Sequence, residues 1–157
     1  MKTLIIYVSI HHQNTAKIAQ VLAEVLQADL KNPAEIELDS FRDYDLVGFG
    51  SGIYFGKNHR RIYELIESLP EQEGKKAFIF STSGMVKIFN VHDFDLALRK
   101  TLESRGFQVI GEFNCRGWDS YPKLLRPWGG INRGRPDSAD FEKAKRFAEK
   151  IIAKHLA

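Results

Sequence analysis

The sequence has few of the features that anchor a protein in a membrane or stabilise it outside the cell. Cys115 is the only cysteine among 157 residues, so no internal disulfide can form. This fits a reducing compartment. No apolar run approaches the length of about 20 residues that spans a bilayer, and no signal-peptide pattern opens the chain. Without an internal repeat or linker, we expect a single domain, residues 1–157, that is soluble and cytoplasmic and has no membrane span.

A strong charge of one sign is also absent, because the formal net charge is only +3. The charge is unevenly distributed: residues 1–115 carry 13 basic and 15 acidic side chains, whereas residues 116–157 carry 10 and 5. The resulting net charges are −2 and +5. Such a basic region can attract nucleic acid or an acidic protein. Solvation of a terminal helix explains the same excess more simply, and we expect no nucleic-acid partner.

Apolar runs and helical periods alternate along the chain. The runs predict strands at residues 3–9, 34–39, 44–51, 76–82 and 107–115. Helical periods and capping signals predict helices at residues 15–27, 59–69, 93–104 and 138–155, the last capped by Asp137 or Ser138. This alternation indicates an α/β fold, a doubly wound three-layer sandwich with a five-stranded parallel sheet. Because only four residues separate the second strand from the third, we expect a short irregular connection or a reduced helix there.

Small polar and aromatic residues follow the predicted strands. In such a sheet a ligand binds beyond the carboxyl ends of the strands, so the segments after each strand form the candidate site. Residues 9–15, SIHHQNT, supply hydroxyl and amide groups and the free N–H groups of a helix start, which favour a phosphate. Residues 51–58, SGIYFGKN, hold two aromatic rings between glycines, and residues 81–85 read STSGM. Together they indicate a site for a planar phosphorylated cofactor.

The two adjacent histidines, His11 and His12, also suggest a metal site. Adjacent residues rarely direct both side chains at one ion, and no carboxylate or thiol lies nearby in the sequence to complete a site. We therefore expect no metal ion. Two roles remain open for these histidines: a protonated imidazole beside a phosphate, or a loop and capping function.

Four segments carry a resemblance to a known family. They are SxHHxNTxKIA after the first strand, GSGIYFGK after the third, FIFSTSG at the fourth, and GGINRGRPDSADFEKAKRFA near the end. In this order, and over nearly the whole chain, they resemble the flavodoxin-like family of small FMN-binding proteins. Standard flavodoxins have a TGNT phosphate loop. Here Ser9, Asn14 and Thr15 match its ends, while residues 11–13 replace the middle, so the chain looks like an HH variant of that loop.

The resemblance implies a noncovalently bound FMN. Ser9, Asn14, Thr15 and the amides of residues 11–15 would hold the phosphate, residues 51–56 would line the flavin ring, and residues 82–85 would contact its pyrimidine side. No side chain would be catalytic, because the flavin carries the chemistry. The residues implied to bind FMN are Ser9, His11, His12, Gln13, Asn14, Thr15, Ser51, Gly52, Ile53, Tyr54, Phe55, Gly56, Thr82, Ser83 and Gly84.

The long irregular stretch at residues 116–136 contains both tryptophans and four arginines. Loops of this length are usually functional in compact domains. Its aromatic residues, Trp118, Tyr121 and Trp128, either cover the ligand or pack the loop onto the sheet. Its arginines, Arg116, Arg126, Arg133 and Arg135, are expected to supply a basic rim.

Three functions compete for this sequence. We favour an electron-transfer protein that uses FMN and an unknown redox partner. The alternative is an FMN-dependent NAD(P)H:quinone-type oxidoreductase, which the absence of a GxGxxG fingerprint weakens only slightly. A noncatalytic receiver-like module would need paired acidic residues after the first strand and a phosphoacceptor aspartate after the third. SIHHQNT and SGIYF occupy those positions, so we do not favour it.

Overall fold

The computed structural model describes residues 2–85, 93–120 and 127–155 of the chain. Within these residues, strands alternate with helices in the order that the sequence predicts. The strands are β1 (Thr3–Val8), β2 (Asp29–Lys31), β3 (Leu46–Tyr54), β4 (Lys57–Asn58), β5 (Lys76–Ser83) and β6 (Gln108–Arg116). The helices are α1 (Asn14–Leu26), α2 (Arg60–Ser68), α3 (Leu96–Ser104) and α4 (Ser138–His155).

The sheet has the doubly wound arrangement expected from the sequence. Five strands pair in parallel in the order β2-β1-β3-β5-β6, and the short β4 pairs antiparallel with the end of β3. From β1 the chain first winds outward to β2, and then returns to build β3, β5 and β6 on the other side. The direction of winding therefore reverses between β1 and β3, which places a crevice beyond their carboxyl ends.

The predicted second strand at residues 34–39 is wrong. The strand that pairs with β1 is three residues long and lies earlier, with Leu4 opposite Asp29 and Ile6 opposite Lys31. Residues 34–39 instead lie largely in two 3-10 helices, Pro33–Glu35 and Leu38–Asp43. The alternating sequence AEIELD resembles a strand, but Asn32 and Glu35 form a capping box that starts a helical turn, with Pro33 at its first position. The second 3-10 helix is the reduced connection expected before β3.

Apolar side chains cover both faces of the sheet. On one face α1 and α4 pack Ile18, Leu22 and Ala148 against Phe78 and Phe80. On the other face α2 and α3 pack onto the sheet; the fully buried members there include Leu4, Ile6, Ile62, Ile66, Ile79, Leu98 and Leu102. This burial on both faces explains why the strand sequences are continuous apolar runs rather than alternating ones.

The last helix agrees with its prediction at both ends. Asp137 is its cap, because its Oδ1 accepts a hydrogen bond from the Asp140 amide at 3.0 Å. In return Asp140 Oδ2 accepts from the Asp137 amide at 3.1 Å and from Arg135 Nη1 at 2.7 Å. The other three helices begin and end within three residues of their predicted bounds.

In the parts of the chain that the structure describes, every helix is too short or too polar to cross a lipid bilayer.

Candidate functional site

A cavity of about 150 Å³ lies at the carboxyl end of the sheet, beyond the ends of β1 and β3. The segments that follow β1, β3, β5 and β6 all contribute to it. The lining residues are Ile10, His11, Asn14, Thr15, Gly52, Ile53, Tyr54, Phe55, Thr82, Ser83, Gly84, Gly117, Trp118 and Asp119. The cavity therefore lies at the switch point where a doubly wound sheet binds its ligand.

The structure brings most of the predicted site residues together. Ten of them line the cavity: His11, Asn14, Thr15, Gly52, Ile53, Tyr54, Phe55, Thr82, Ser83 and Gly84. The other predicted residues, Ser9, His12, Gln13, Ser51 and Gly56, belong to the same segments but lie outside the lining. Four lining residues were not among those assigned to FMN binding: Ile10, Gly117, Trp118 and Asp119. The last three could have been found from the sequence, because they lie directly after β6. For Trp118 the sequence left open a choice between covering the ligand and packing the loop.

The segment between β1 and α1 turns sharply to start the helix. His12 and Gln13 both have left-handed backbone conformations, with φ of 52° and 55°. Ser9 Oγ accepts a hydrogen bond from the Ala16 amide at 3.2 Å. The His12 ring stacks on Trp118 with centroids 3.7 Å apart, and its Nε2 lies 2.8 Å from Ser120 Oγ. Ser9 and His12 therefore hold this segment in place without lining the cavity.

Two buried hydroxyl groups meet at the cavity. Thr15 Oγ1, in the first turn of α1, lies 2.9 Å from Thr82 Oγ1 near the end of β5. Only one of the two hydroxyl groups can donate in this hydrogen bond, whichever it is. The second hydroxyl hydrogen is thus available to an acceptor on a ligand.

Asn14 joins the first and last segments of the site. Its Nδ2 donates to the carbonyl oxygen of Trp118 at 2.8 Å. Its buried Oδ1 has no hydrogen-bond partner among the described residues. An unsatisfied buried acceptor costs about 1 to 3 kcal/mol, so a ligand hydroxyl or N–H group that reached it would recover this free energy.

Phe55 stands at the mouth of the cavity in an unfavourable backbone conformation. The β3–β4 hairpin turns over two residues, Phe55 and Gly56, with φ of 51° and 77°. Two positive φ angles define the type I′ geometry, for which Asn-Gly is the preferred sequence. A bulky residue is rare at such a position, and 87% of the Phe55 side chain is exposed. The hairpin therefore exposes most of the Phe55 side chain, although its backbone conformation is unfavourable for a bulky residue.

Tyr54 is half-buried beside this ring. Its hydroxyl oxygen lies so near Gly52 that a Cβ at that position would approach it to 2.9 Å, which explains the glycine. Burial raises the pKa of the Tyr54 hydroxyl, and a hydrogen bond with the Ile10 backbone opposes the shift. The phenol therefore stays protonated at neutral pH and can donate.

The segment after β6 closes the cavity and is held by backbone contacts. Asp119 and Ile131 form an antiparallel bridge, with N···O distances of 3.0 and 2.7 Å. Trp118 Nε1 donates to the carbonyl of Gly129 at 2.7 Å. Trp118 stacks on His12 and also lines the cavity, so it packs its segment onto the loop before α1. That it covers a ligand stays a prediction. Tyr121 and Arg126 lie outside the described residues.

A buried polar network lies behind the cavity. Asp95, fully buried, accepts hydrogen bonds from Asn58 Nδ2 at 3.0 Å and from Ser81 Oγ at 2.9 Å. Ser81 Oγ in turn accepts from Asn114 Nδ2 at 2.9 Å. Asp95 thus ties the β3–β4 hairpin to β5. Nothing in the local sequence signals this network, because its members come from four separate segments.

Asp95 is also one of three carboxylates, with Asp93 and Glu112, whose oxygens lie within 4.8 Å of one another. Arg99 pairs with Asp93 at 3.2 Å and with Glu112, and these carboxylates raise the pKa of its guanidinium. The cation beside this acidic cluster is thus Arg99, and Asn58 and Ser81 donate hydrogen bonds to Asp95.

Comparison with known proteins agrees with the fold. Residues 4–123 match the family model of the flavodoxin domain. An uncharacterised protein of Methanocaldococcus jannaschii is 45% identical over 152 residues, which cover 97% of this chain and 99% of that one.

Two solved structures have the same fold. A flavodoxin from the domain Archaea superposes with a TM-score of 0.71 at 16% identity, over 98% of both chains. Oxidised flavodoxin 2 from Bacillus cereus superposes with a TM-score of 0.70 at 19% identity, over 98% of this chain and 99% of that chain. Since the family model covers well over half of the sequence, the chain belongs to the flavodoxin domain family.

Proposed function

We propose that the protein binds FMN noncovalently in the cavity at the carboxyl end of the sheet and transfers electrons through it. Flavodoxins generally bind FMN, and this chain belongs to their family. The observation that carries the proposal is the combination of buried hydroxyl groups, Thr15 and Thr82, with the aromatic residues Tyr54, Phe55 and Trp118 in one cavity at the switch point.

The first turn of α1 suits the phosphate of FMN. The helix dipole and those N–H groups of the first turn that have no partner favour an anion without a lysine. The amides of Asn14 and Ala16 are engaged, with the His11 carbonyl and Ser9 Oγ. Thr15 adds its hydroxyl group in the first turn. Asn14 donates one of its two Nδ2 hydrogens to the Trp118 carbonyl, so the second stays available to the phosphate, as the resemblance implies, and its buried Oδ1 stays available to a donor. We assign this oxygen to a hydroxyl or N–H group of FMN, since two acceptors repel each other.

The remaining lining residues suit a planar ring. Tyr54, Phe55 and Trp118 offer flat apolar surfaces, and Gly52 and Gly84 complete the lining without side chains of their own. FMN, when bound, supplies the redox chemistry. The chain binds it, orients it and excludes water from part of it. The hydroxyl group of Ser51 is already engaged, because it donates to the Gly52 carbonyl at 2.7 Å and accepts from the His59 amide at 2.9 Å.

The experiment that tests this proposal is a titration of FMN into the stripped protein, followed by quenching of flavin fluorescence. We expect a yellow purified protein and saturable, stoichiometric quenching. Thr15→Val should weaken FMN binding at least about tenfold, because a hydrogen bond to a charged group contributes roughly 1.5 to 3 kcal/mol. The matched control is Thr101→Val, whose hydroxyl makes an exposed hydrogen bond to the Ala97 carbonyl in α3. A colourless protein that does not quench FMN would refute the proposal.

The alternative function, an FMN-dependent NAD(P)H:quinone-type oxidoreductase, has one observation in its favour. A second, more open cleft of about 720 Å³ adjoins the cavity and shares Ile10 with it. Arg60 and Arg61 line this cleft, and cationic side chains suit the phosphates of a pyridine nucleotide. Consumption of NADH or NADPH by the FMN-loaded protein and a quinone, without any other protein, distinguishes this enzyme from an electron carrier.

A further inference from the structure

Large apolar side chains are exposed around the mouth of the cavity. Ile10 is 52% exposed, Phe55 87%, Met85 59% and Trp128 74%. Ile10 and Phe55 line the cavity, and Met85 directly follows its lining residue Gly84. Trp128 is adjacent to Gly129, which accepts the hydrogen bond of Trp118. A group of exposed apolar side chains around one site marks an interaction surface rather than chance exposure.

The same end of the sheet carries exposed cations. They are Lys57 in the hairpin, Arg61 at the start of α2, Arg116 at the end of β6, and Arg133. Among the described residues, no carboxylate lies within 4.0 Å of any of these four side chains. The Arg133 guanidinium carbon lies 5.9 Å from the centre of the Trp118 ring, which places this charge beside the cavity.

Carboxylates at this end are mostly engaged within the protein. Asp137 and Asp140 pair with Arg135, at 3.3 and 2.7 Å. Asp93 pairs with Arg99, and Asp95 is fully buried. Asp119, in the cavity lining, also has an interaction within the protein. Among the described residues, the unpaired exposed charge around the cavity is therefore mainly positive, although the net charge of the whole chain is only +3.

We propose that this surface, formed by Ile10, Phe55, Met85 and Trp128 with the cations Lys57, Arg61, Arg116 and Arg133, is the docking site of an acidic redox protein. The proposal rests on the proposed function for the redox role of the partner, but docking itself needs no flavin. Apolar contacts at the centre and charged groups at the rim are typical of protein interfaces. A nucleic acid would instead favour a continuous basic groove, because phosphates dominate its affinity.

The test uses an oxidised acidic ferredoxin, labelled with a fluorophore, as the probe and measures its binding by fluorescence anisotropy. The FMN-loaded and FMN-free proteins are titrated separately. We expect both to bind, with affinity falling at least about fivefold between roughly 50 and 300 mM NaCl because salt screens the charges. Basic cytochrome c serves as the probe of opposite sign and should not bind.

Charge reversal tests which surface binds. The double variant Lys57→Glu/Arg133→Glu should weaken ferredoxin binding at least about tenfold. Its control, Lys150→Glu/Lys154→Glu, makes the same change in net charge at exposed positions near the other end of the sheet and should bind normally. Trp128→Ser tests the apolar part and should also weaken binding.

Several results would overturn the proposal: no binding of ferredoxin, equal losses in the two double variants, or no effect of salt. Single-stranded DNA that competes fully with ferredoxin would identify a general polyanion surface and would also overturn it. Because the FMN-free protein is measured too, absence of FMN binding would refute the proposed function without removing the docking result.

Discussion

The two ends of the sheet use their polar groups in opposite ways. At the amino end, Lys75 Nζ donates to the carbonyls of Phe41 and Tyr44 at 3.1 and 2.6 Å, and the Tyr44 hydroxyl donates to Asp29 at 2.9 Å. At the carboxyl end, the Thr15–Thr82 pair keeps a hydroxyl hydrogen and Asn14 keeps a buried acceptor. These groups at the amino end close the fold, whereas Asn14, Thr15 and Thr82 at the carboxyl end line a cavity.

Backbone strain follows the same division. Of the described non-glycine residues with positive φ, Gln27 and Glu73 lie near the amino end, and Gln27 is simply the cap of α1. The carboxyl end has His12, Gln13, Phe55 and Asn132. Strained conformations persist where the surrounding structure imposes them, and they concentrate at functional sites. The difference between the ends therefore supports a binding role for the carboxyl end, and four predictions test it.

The largest effect should come from the network behind the cavity. Asp95→Ala leaves the buried donors of Asn58 and Ser81 without their acceptor, and we expect the free energy of unfolding to fall by about 3 to 5 kcal/mol. The matched variant at the amino end, Asp29→Ala, removes one partly exposed hydrogen bond from Tyr44 and should cost about 1 kcal/mol. Urea unfolding followed by circular dichroism measures both free energies of unfolding. Equal losses in the two variants would contradict the expected difference between the two ends of the sheet.

The hairpin should show opposite effects on stability and binding. Phe55→Asn creates the preferred Asn-Gly turn and should stabilise the protein by about 0.5 to 1 kcal/mol, since asparagine tolerates a left-handed conformation. The same variant should weaken FMN binding, because it removes an aromatic side chain from the cavity. Glu73→Asn is the control at the amino end: it also precedes a glycine with positive φ, so it should stabilise the protein without affecting FMN. Thermal unfolding and FMN titration of both variants provide the comparison.

The start of α2 should make stability depend on pH. His59 Nδ1 accepts the Arg61 amide at 3.2 Å, which requires a neutral ring. Burial, with Arg61 and Arg60, lowers the pKa of His59 below 6.5. Below pH 6.5 the unfolded chain therefore binds more protons than the folded one, and stability falls as pH falls.

His59→Asn keeps a capping side chain that does not titrate in this range, so it should flatten the stability profile between about pH 5 and 7. Urea unfolding at several pH values measures this slope. A slope equal to that of the wild type would show that other groups cause it.

The smallest effect concerns Cys115, which lies near the carboxyl end but inside the sheet. Burial, with a smaller contribution from Asp140, raises the pKa of its thiol to about 12. The thiolate is the reactive form, so iodoacetamide at pH 8 should modify the native protein far more slowly than the protein unfolded in urea. Mass spectrometry of the two samples measures the ratio. Rapid modification of the native protein would mean that the structure around Cys115 opens and exposes the thiol to solvent.

Much of the fold could be predicted from local patterns. The stripe from Ser138 to His155 predicts α4 at both ends, and the apolar runs predict four of the five parallel strands. The second strand was misplaced because β2 has only three residues at the edge of the sheet, too few for a clear pattern. The strand-like alternation at residues 34–39 was stronger than the capping signal of Asn32 and Pro33.

The candidate site was only partly predictable, for a different reason. Its hydroxyl and aromatic residues follow predicted strands, so the sequence points to the correct end of the sheet. The contributions of Trp118 and Asp95 depend on partners in other segments, Asn14 and Asn58. No local pattern records such a pair, because each residue alone is an ordinary loop or helix residue.

The sequence by itself determined the alternation of strands and helices, the burial of both sheet faces and the residue types at the carboxyl end. These follow from side-chain hydrophobicity and short-range backbone preferences, which act within a few residues. Only the tertiary structure decided that the hydroxyl groups of Thr15 and Thr82 form a hydrogen bond. Only the tertiary structure decided that the Asn14 Oδ1 stays without a partner among the described residues. Those outcomes depend on distances of a few ångströms between segments that sheet pairing and helix packing bring together, and sequence spacing does not contain them.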